Sequence, residues 1–252
     1  MASSLKYYTS KLSRIIKEIG LKKNSGYCPV CESKTVFVEY SDWLRRDYRC
    51  RNCGTMPRNR AMKVAINTFM PDWRNQIVHE SSPSGSSSYY MRKSCPGYST
   101  SQFFADVPRG VMKGKHRSED LTQLTFENES IDLLLTCDVF EHVFHAEIAF
   151  AEVARVLKPG GKHIFSIPWN SKLIKTEKRA ELNPDGSITY LKEPEYHKNP
   201  VDEKGALVTY DWGRDIGDII YRSSGLTTTI FRIRDRSLGI DGSYIEIFVS
   251  SK

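Results

Sequence analysis

The chain has 252 residues, 37 Lys+Arg against 30 Asp+Glu, and a net charge of +7, which allows one domain of ordinary size plus a small module. No run of about eighteen apolar residues occurs, and Met1–Lys11 lacks the apolar stretch of a secretory signal. A membrane-spanning or secreted protein is therefore excluded as an expectation, and a cytoplasmic one is predicted. The charge is uneven: residues 1–75 hold 15 Lys+Arg and 6 Asp+Glu, the remainder 22 and 24. A basic first third makes nucleic acid a candidate partner through residues 1–75, although no stripe of aromatics interleaves the charge as base stacking requires.

Residues 4–19 read as an amphipathic helix, with Leu5, Tyr8, Leu12, Ile15, Ile16 and Ile19 on one face. Two C-x-x-C pairs follow, Cys28/Cys31 and Cys50/Cys53, separated by 18 residues. Zinc takes four ligands in a tetrahedron, and two tight turns can each present two thiolates, so this spacing points to a Zn2+ ribbon. Two disulfides are the competing use. Cys95 and Cys137 remain as free thiols. The expected organisation is a helix over 1–25, a zinc ribbon over 26–60 with a strand near Lys34–Tyr40, and a connecting helix within 61–75. That helix itself reads as Pro57–Phe69, with proline in its first turn. A main domain spans 76–252.

In the main domain strands and helices alternate, which predicts an α/β fold with a mostly parallel sheet. The expected strands are Gln76–Glu80, Tyr98–Phe104, Ile131–Cys137, Lys162–Pro168, Leu226–Arg234 and Tyr244–Ser250. The expected helices are Ser86–Lys93, Ala146–Leu157, stopped by Lys158-Pro159-Gly160-Gly161, and Asp215–Ser223, ended by Gly225. Leu173–Leu191 reads as a hairpin turned at Asn183-Pro184-Asp185-Gly186. Open sheets of this kind bind ligands beyond the carboxyl ends of their strands. Here those loops are Glu80–Gly85, Asp120–Leu121 and Cys137–His142.

The stretch Phe126–Trp169, FENESIDLLLTCDVFEHVFHAEIAFAEVARVLKPGGKHIFSIPW, resembles the fourth strand, loop, helix and fifth strand of class I S-adenosylmethionine-dependent methyltransferases of the type 11-like group. The likeness extends over roughly residues 74–252. It implies a Rossmann-like seven-stranded methyltransferase sheet, S-adenosyl-L-methionine as cofactor, and cofactor contacts from Glu80, Ser82, Ser84, Gly85, Ser101, Asp120, Leu121, Cys137 and Asp138. Glu80 would meet the methionine amino group and Asp120 the adenine amine. Glu80-Ser81-Ser82-Pro83-Ser84-Gly85-Ser86 replaces the family's G-x-G-x-G run. Serine substitutes for glycine there only where φ is negative. Tyr98–Gln102 lacks the usual ribose-binding acid, leaving Ser101 or Gln102 in that place.

Methyl transfer from a sulfonium is an in-line displacement that positioning can accelerate without a nucleophilic residue. A hydroxyl acceptor also needs a base, and His142 and His197 are the candidates. An acceptor-binding insertion is expected at about 170–210. The favoured reading is methylation of a hydroxyl or amine on a sugar-linked, glycan-linked or other small acceptor. The alternatives are an RNA methyltransferase gripping RNA through the basic zinc module, and a non-catalytic zinc scaffold with a degenerate cofactor loop.

Overall fold

The computed structural model describes residues 17–83, 85–197 and 205–252. The helix expected over 4–19 lies almost wholly outside them, as does Ser84. Strands β1 (Lys23–Cys28) and β2 (Ser33–Glu39) pair antiparallel, and β3 (Tyr48–Cys50) adds to β2 through Phe37↔Cys50. The short helix α1 (Leu44–Asp47) joins β2 to β3. β1 therefore begins before the expected ribbon boundary at residue 26. Helix α2 (Pro57–Phe69) starts at proline, and Asn59 Oδ1 accepts from the Met56 amide at 3.3 Å. Its buried face, Ala61, Met62, Ala65 and Ile66, packs with Val78, Leu133, Ile164 and Ile247 of the main sheet.

The main domain continues with β4 (Val78–Ser81), α3 (Gly85–Ser94), β5 (Tyr98–Gln102), β6 (Met112–Lys113), β7 (His116–Ser118), β8 (Ile131–Cys137), α4 (Ala146–Val156) and β9 (Leu157–Ser166). An insertion of two-to-three-residue strands follows: β10 (Glu177–Lys178), β11 (Ala180–Leu182), β12 (Ile188–Tyr190), β13 (Tyr196–His197), β14 (Ala206–Leu207) and β15 (Tyr210–Asp211). Helix α5 (Ile216–Ser224), capped by Gly225 at φ 73°, precedes β16 (Thr227–Phe231) and β17 (Ile247–Ser251). The sheet order is β16-β17-β9-β8-β4-β5-β7-β6. Pairing is parallel from β9 to β7 and antiparallel at both margins. This is the expected Rossmann-like sheet with one strand more than seven, because β6 turns back on β7. Neither β6 nor β7 was expected: both are short and polar, with no alternation to mark them. The Lys158–Gly161 segment is a bulge inside β9, since the partner of β8 jumps from Leu157 to Lys162.

The two faces of the sheet have separate cores. One packs Phe140, Phe150, Phe165, Trp212 and Phe248 beneath α4 and α5. His163 is fully buried in this layer, stacked on Phe165 with ring centres 4.4 Å apart and bonded to Thr136 Oγ1 at 3.0 Å. Burial pushes its pKa down to about 3. The unfolded chain takes up that proton near pH 6.5 and the folded chain does not until about 3, so this group contributes stability above pH 6.5 that is lost as pH falls. Relative to His163→Phe, the wild type is expected to lose about 1.4 kcal/mol per pH unit between pH 6 and 3. Paired denaturant titrations across that range measure it, and parallel stability curves would refute it.

Candidate active site and metal centre

The two cysteine turns converge at one end of the ribbon. Cys28 Sγ lies 3.7 Å from Cys53 Sγ, and Cys31 Sγ lies 3.9 Å from Cys50 Sγ. All four sulfurs fall within 4.8 Å of one another. A tetrahedral zinc with bonds of about 2.3 Å would set its sulfurs about 3.8 Å apart, whereas a disulfide needs about 2.05 Å. The cysteines are all free. Hydroxyls surround the sulfurs: Thr55 Oγ1 is 3.0 Å from Cys53 Sγ, Ser33 Oγ 3.2 Å from Cys31 Sγ, and Thr35 Oγ1 3.4 Å from Cys50 Sγ. Such outer partners orient and stabilise thiolate ligands.

The ribbon is fastened to the main domain by arginines. Arg60, fully buried, donates to the carbonyls of Thr55, Tyr48 (2.8 Å) and Gly239 (3.0 Å), with its guanidinium 4.7 Å over the Phe37 ring. Gly239 packs so closely on Phe37 that no side chain fits at that position. Arg45 and Arg58 both reach Asp138, at 2.8 and 2.9 Å. Ser86 Oγ, at the start of α3, donates to the Cys53 carbonyl at 2.5 Å. The cysteine cluster and the first turn of α3 are therefore in direct contact.

At the carboxyl ends of the strands the expected cofactor residues fall as follows. Glu80 is buried, and its carboxylate accepts from Ser88 Oγ at 2.9 Å and from the Tyr98 hydroxyl. Burial raises its pKa, and those two hydrogen bonds oppose the rise. Ser82 has φ 54°, which corrects the expectation that serine stands only at negative φ; this conformation costs about 1–2 kcal/mol. Asp138, at the end of β8, is likewise left-handed at φ 53°. Strained non-glycine residues of this kind concentrate at functional sites. Gly85 opens α3 at φ 64°. Ser101 is buried with its hydroxyl 2.9 Å from His79 Nε2, so it faces the sheet interior and Gln102 is the exposed-side alternative at the end of β5. Asp120 Oδ1 accepts from the Thr122 amide and hydroxyl at 2.8 and 2.7 Å, closing a turn, and Leu121 is buried beside it. Cys137 Sγ accepts from Ser166 Oγ at 3.3 Å. The arginine pair and Ser166 fill the coordination of Asp138, and the two guanidinium charges hold its pKa down against burial.

These groups suit a sulfonium amino-acid cofactor in kind: an acid at the end of β4, the helix start of α3, and an amide side chain at the end of β5. The space beside Glu80, walled by Asn59, Met62, Ser87, Met91 and Cys137, is about 20 Å3. That admits roughly one water.

A second cavity of about 500 Å3 lies where the ribbon, the insertion and the β16–β17 connection meet. Its walls include Trp43, Arg45, Glu177, Lys192, Glu195, His197, Asp211, Trp212 and Tyr244. Lys192 bonds Asp211 at 2.7 Å and also reaches Glu177. The insertion is laced to the loop after β8: the Thr209 amide donates to the Glu141 carbonyl at 2.7 Å, and the Tyr210 hydroxyl to that of Phe144 at 3.1 Å. This lacing, with the Tyr196↔Leu207 pairing of β13 and β14, brings His197 beside His142, ring centres 5.2 Å apart. Gly205 is needed there, since a side chain would strike the His197 carbonyl. His142 donates from Nδ1 to the Leu207 carbonyl at 2.8 Å, and burial lowers its pKa. Sequence reasoning missed Arg45, Arg58 and Arg60 as site residues. The P-R-x-R segment held two of them, but nothing local shows that an arginine faces inward.

Residues 85–165 match the family model described as a methyltransferase domain. Within residues 85–165 the chain is thus similar to methyltransferase domains. No curated protein matches it. Among solved structures, a methyltransferase from Mesorhizobium loti aligns with TM-score 0.49 and 13% identity over 76% of this chain and 98% of that one. An amino pentose methyltransferase from Micromonospora echinaspora, CalS10, aligns at 0.47 and 14% over 79% and 92%. A Burkholderia thailandensis 1,6-didemethyltoxoflavin-N1-methyltransferase aligns at 0.46 and 12% over 77% and 78%. In this chain the family match begins at α3 and ends within β9, so it leaves the ribbon, α2, β4 with Glu80, the insertion, α5 and the last two strands to be read from their own geometry. Among the described residues no helix is long and apolar enough to cross a membrane.

Proposed function

We propose that this chain transfers the methyl group of S-adenosylmethionine to a hydroxyl or amine of a sugar-linked or other small polar acceptor, and that its ribbon holds one structural Zn2+. The observation that carries the acceptor reading is the 500 Å3 cavity. Its charged rim of Glu177, Lys192, Glu195 and Asp211 suits a hydroxyl-rich molecule, and the exposed Trp43 and Tyr244 offer flat apolar faces for a sugar ring. Within this reading Glu80 binds the cofactor's ammonium, and the first amides of α3 receive its carboxylate. His197, on the cavity wall, takes the proton when the acceptor is a hydroxyl, with His142 behind it. Six cysteines without a disulfide, four of them placed to hold zinc, suit a reducing, cytoplasmic setting.

Part of the basic charge of residues 1–75 is turned inward. Arg45, Arg58, Arg60 and Lys63 are buried or nearly so, and Arg51 reaches the buried Glu18. These five act as internal fasteners, whereas Lys22, Lys23, Lys34 and Arg46 remain exposed, so RNA stays the alternative acceptor to be tested.

Incubation with S-adenosylmethionine and a panel of amino sugars, nucleotide-linked sugars and hydroxylated aromatics, read by mass spectrometry, tests the acceptor class. Methylation confined to the aromatics or to RNA would reject it. Glu80→Ala is expected to weaken cofactor binding ten-fold or more, because a charge-assisted hydrogen bond contributes roughly 1.5–3 kcal/mol. Calorimetric titration with S-adenosylhomocysteine and its sulfonium parent measures this, and unchanged affinity would remove Glu80 from the site.

A further inference from the structure

Glu141 presents a problem of physical chemistry. Its side chain is about 1% exposed, and neither carboxylate oxygen has a hydrogen-bond partner among the described residues. Leaving a buried carboxylate without donors is costly, and such orphans in native proteins call for a bound proton, water or ion. The neighbouring acid, Asp138, pairs directly with Arg45 and Arg58, whereas these arginines act on Glu141 only through their charge, which opposes but does not overcome its burial.

Two imidazoles face it. His142 Nε2 and His197 Nδ1 each lie 3.8 Å from Glu141 Oε1, and one ligand atom from each of the three residues falls within 4.8 Å of the others. The far nitrogen of each ring is already committed. His142 Nδ1 donates to the Leu207 carbonyl at 2.8 Å, and His197 Nε2 donates to Glu195 Oε1 at 3.3 Å. Since a carbonyl and a carboxylate only accept, the lone pairs are left on the nitrogens that point at Glu141. A ring nitrogen anchored to an oxygen acceptor, with its opposite lone pair aimed inward, is the arrangement found around metal-binding histidines.

From this geometry we infer that Glu141, His142 and His197 form a second metal site, for one divalent first-row cation, distinct from the four-cysteine cluster. Two imidazoles and one carboxylate make a nitrogen-and-oxygen set that suits Mn2+, Fe2+, Co2+ or Zn2+ rather than Ca2+. Metal bonds of about 2.1 Å would set the ligand atoms about 3.4 Å apart in a tetrahedral arrangement, so the observed 3.8 Å requires only a small inward movement. Three protein ligands leave coordination positions open. His197 also lines the 500 Å3 cavity, so an oxygen of a molecule bound there can take one of them. That last step rests on the acceptor reading above, whereas the cation site stands without it; with a cation bound, His142 and His197 are its ligands and neither is the base that takes a hydroxyl's proton. Burial and the nearby Asp138 raise the pKa of Glu141 well above the ordinary carboxyl value, and a cation would replace the proton held there.

The test uses full-length protein with its ribbon loaded with zinc, and Mn2+ as probe, because thiolates disfavour Mn2+. Free Mn2+ is followed by electron paramagnetic resonance. One Mn2+ per chain is expected, with binding weakened at least ten-fold by His197→Ala and more by Glu141→Gln, and unaltered by His116→Ala. Thermal melting checks each variant; if Glu141→Gln does not fold, the half-exposed His197 decides the matter. No Mn2+ uptake below millimolar concentration by the folded wild type, or uptake that survives His197→Ala, overturns the site. Methyl transfer by a protein that fails to take up Mn2+ would leave the proposed function standing while removing the cation.

Discussion

Stripping the metal from the ribbon with a strong chelator, or replacing one ligand as in Cys50→Ser, is expected to unfold residues 23–55 and to abolish cofactor binding as well. Binding of a structural zinc supplies about 10–16 kcal/mol in small modules of this kind. The ribbon's own core is thin: Cys28, Val30, Phe37, Tyr48 and Cys50 form its buried cluster, and two of these five would be ligands of the proposed zinc. Without the metal that cluster cannot offset the entropy of ordering three short strands. The effect reaches the cofactor end through two contacts, Ser86 Oγ on the Cys53 carbonyl and the Arg45 and Arg58 pair on Asp138. Metal analysis should find one tightly held zinc in protein purified without added metal, and cofactor titration before and after chelation should show the coupled loss. Near-zero zinc with four freely reactive thiols, or full cofactor affinity after chelation, would contradict this account.

Arg60→Ala is the second large effect. The guanidinium is fully buried, and burial lowers its pKa to about 10, so it remains charged at neutral pH. It serves carbonyls from three places: Thr55 after the second cysteine turn, Tyr48 in β3, and Gly239 before β17. Truncation leaves these acceptors buried without a donor and removes the contact with Phe37. Breaking a buried charged network of this kind costs about 3–5 kcal/mol. For a domain of this size, each kcal/mol corresponds to about 2–4 °C in melting temperature, so a fall of roughly 6–20 °C is expected. Arg60→Lys should recover little, because one ammonium cannot span the fork. Thermal melting of both variants is the measurement; a loss below about 1 kcal/mol would mean that water replaces the side chain.

The elements that could be read in advance are those whose pattern is local. The apolar run of β8, the amphipathic α4 with Ala149, Phe150 and Val153, and the hairpin turned at Asn183–Gly186 each carry their period in the sequence. The cysteine spacing likewise encodes a site within one short segment. What escaped notice is set by contacts distant along the chain. β7 is a strand only because β5 offers it an edge. Arg60 looks like a surface cation until Gly239 is folded over it. Glu141 has no local pattern that marks it, and its burial depends on segment 206–211 closing over the loop after β8. Ser82 illustrates the reverse case: the chain was expected to avoid a left-handed turn where it lacks glycine, and it adopts one.

The ribbon's anchoring has a consequence for how the protein is made. Asn24 donates to the Arg236 carbonyl, Arg45 to that of Tyr244 and Arg60 to that of Gly239, pairs separated by 212, 199 and 179 residues. During synthesis at about 5–20 residues per second, the ribbon therefore waits roughly ten to forty seconds with its docking face uncovered. β17, which carries the final sheet pairing, lies between β9 and β16, so the sheet also stays open until those residues emerge. Metal capture by the four cysteines needs none of this later chain. The ribbon can thus be an early folded unit to which the rest of the molecule is fitted last, and nascent chains halted before residue 235 should hold zinc yet remain sensitive to protease across β4 to β9.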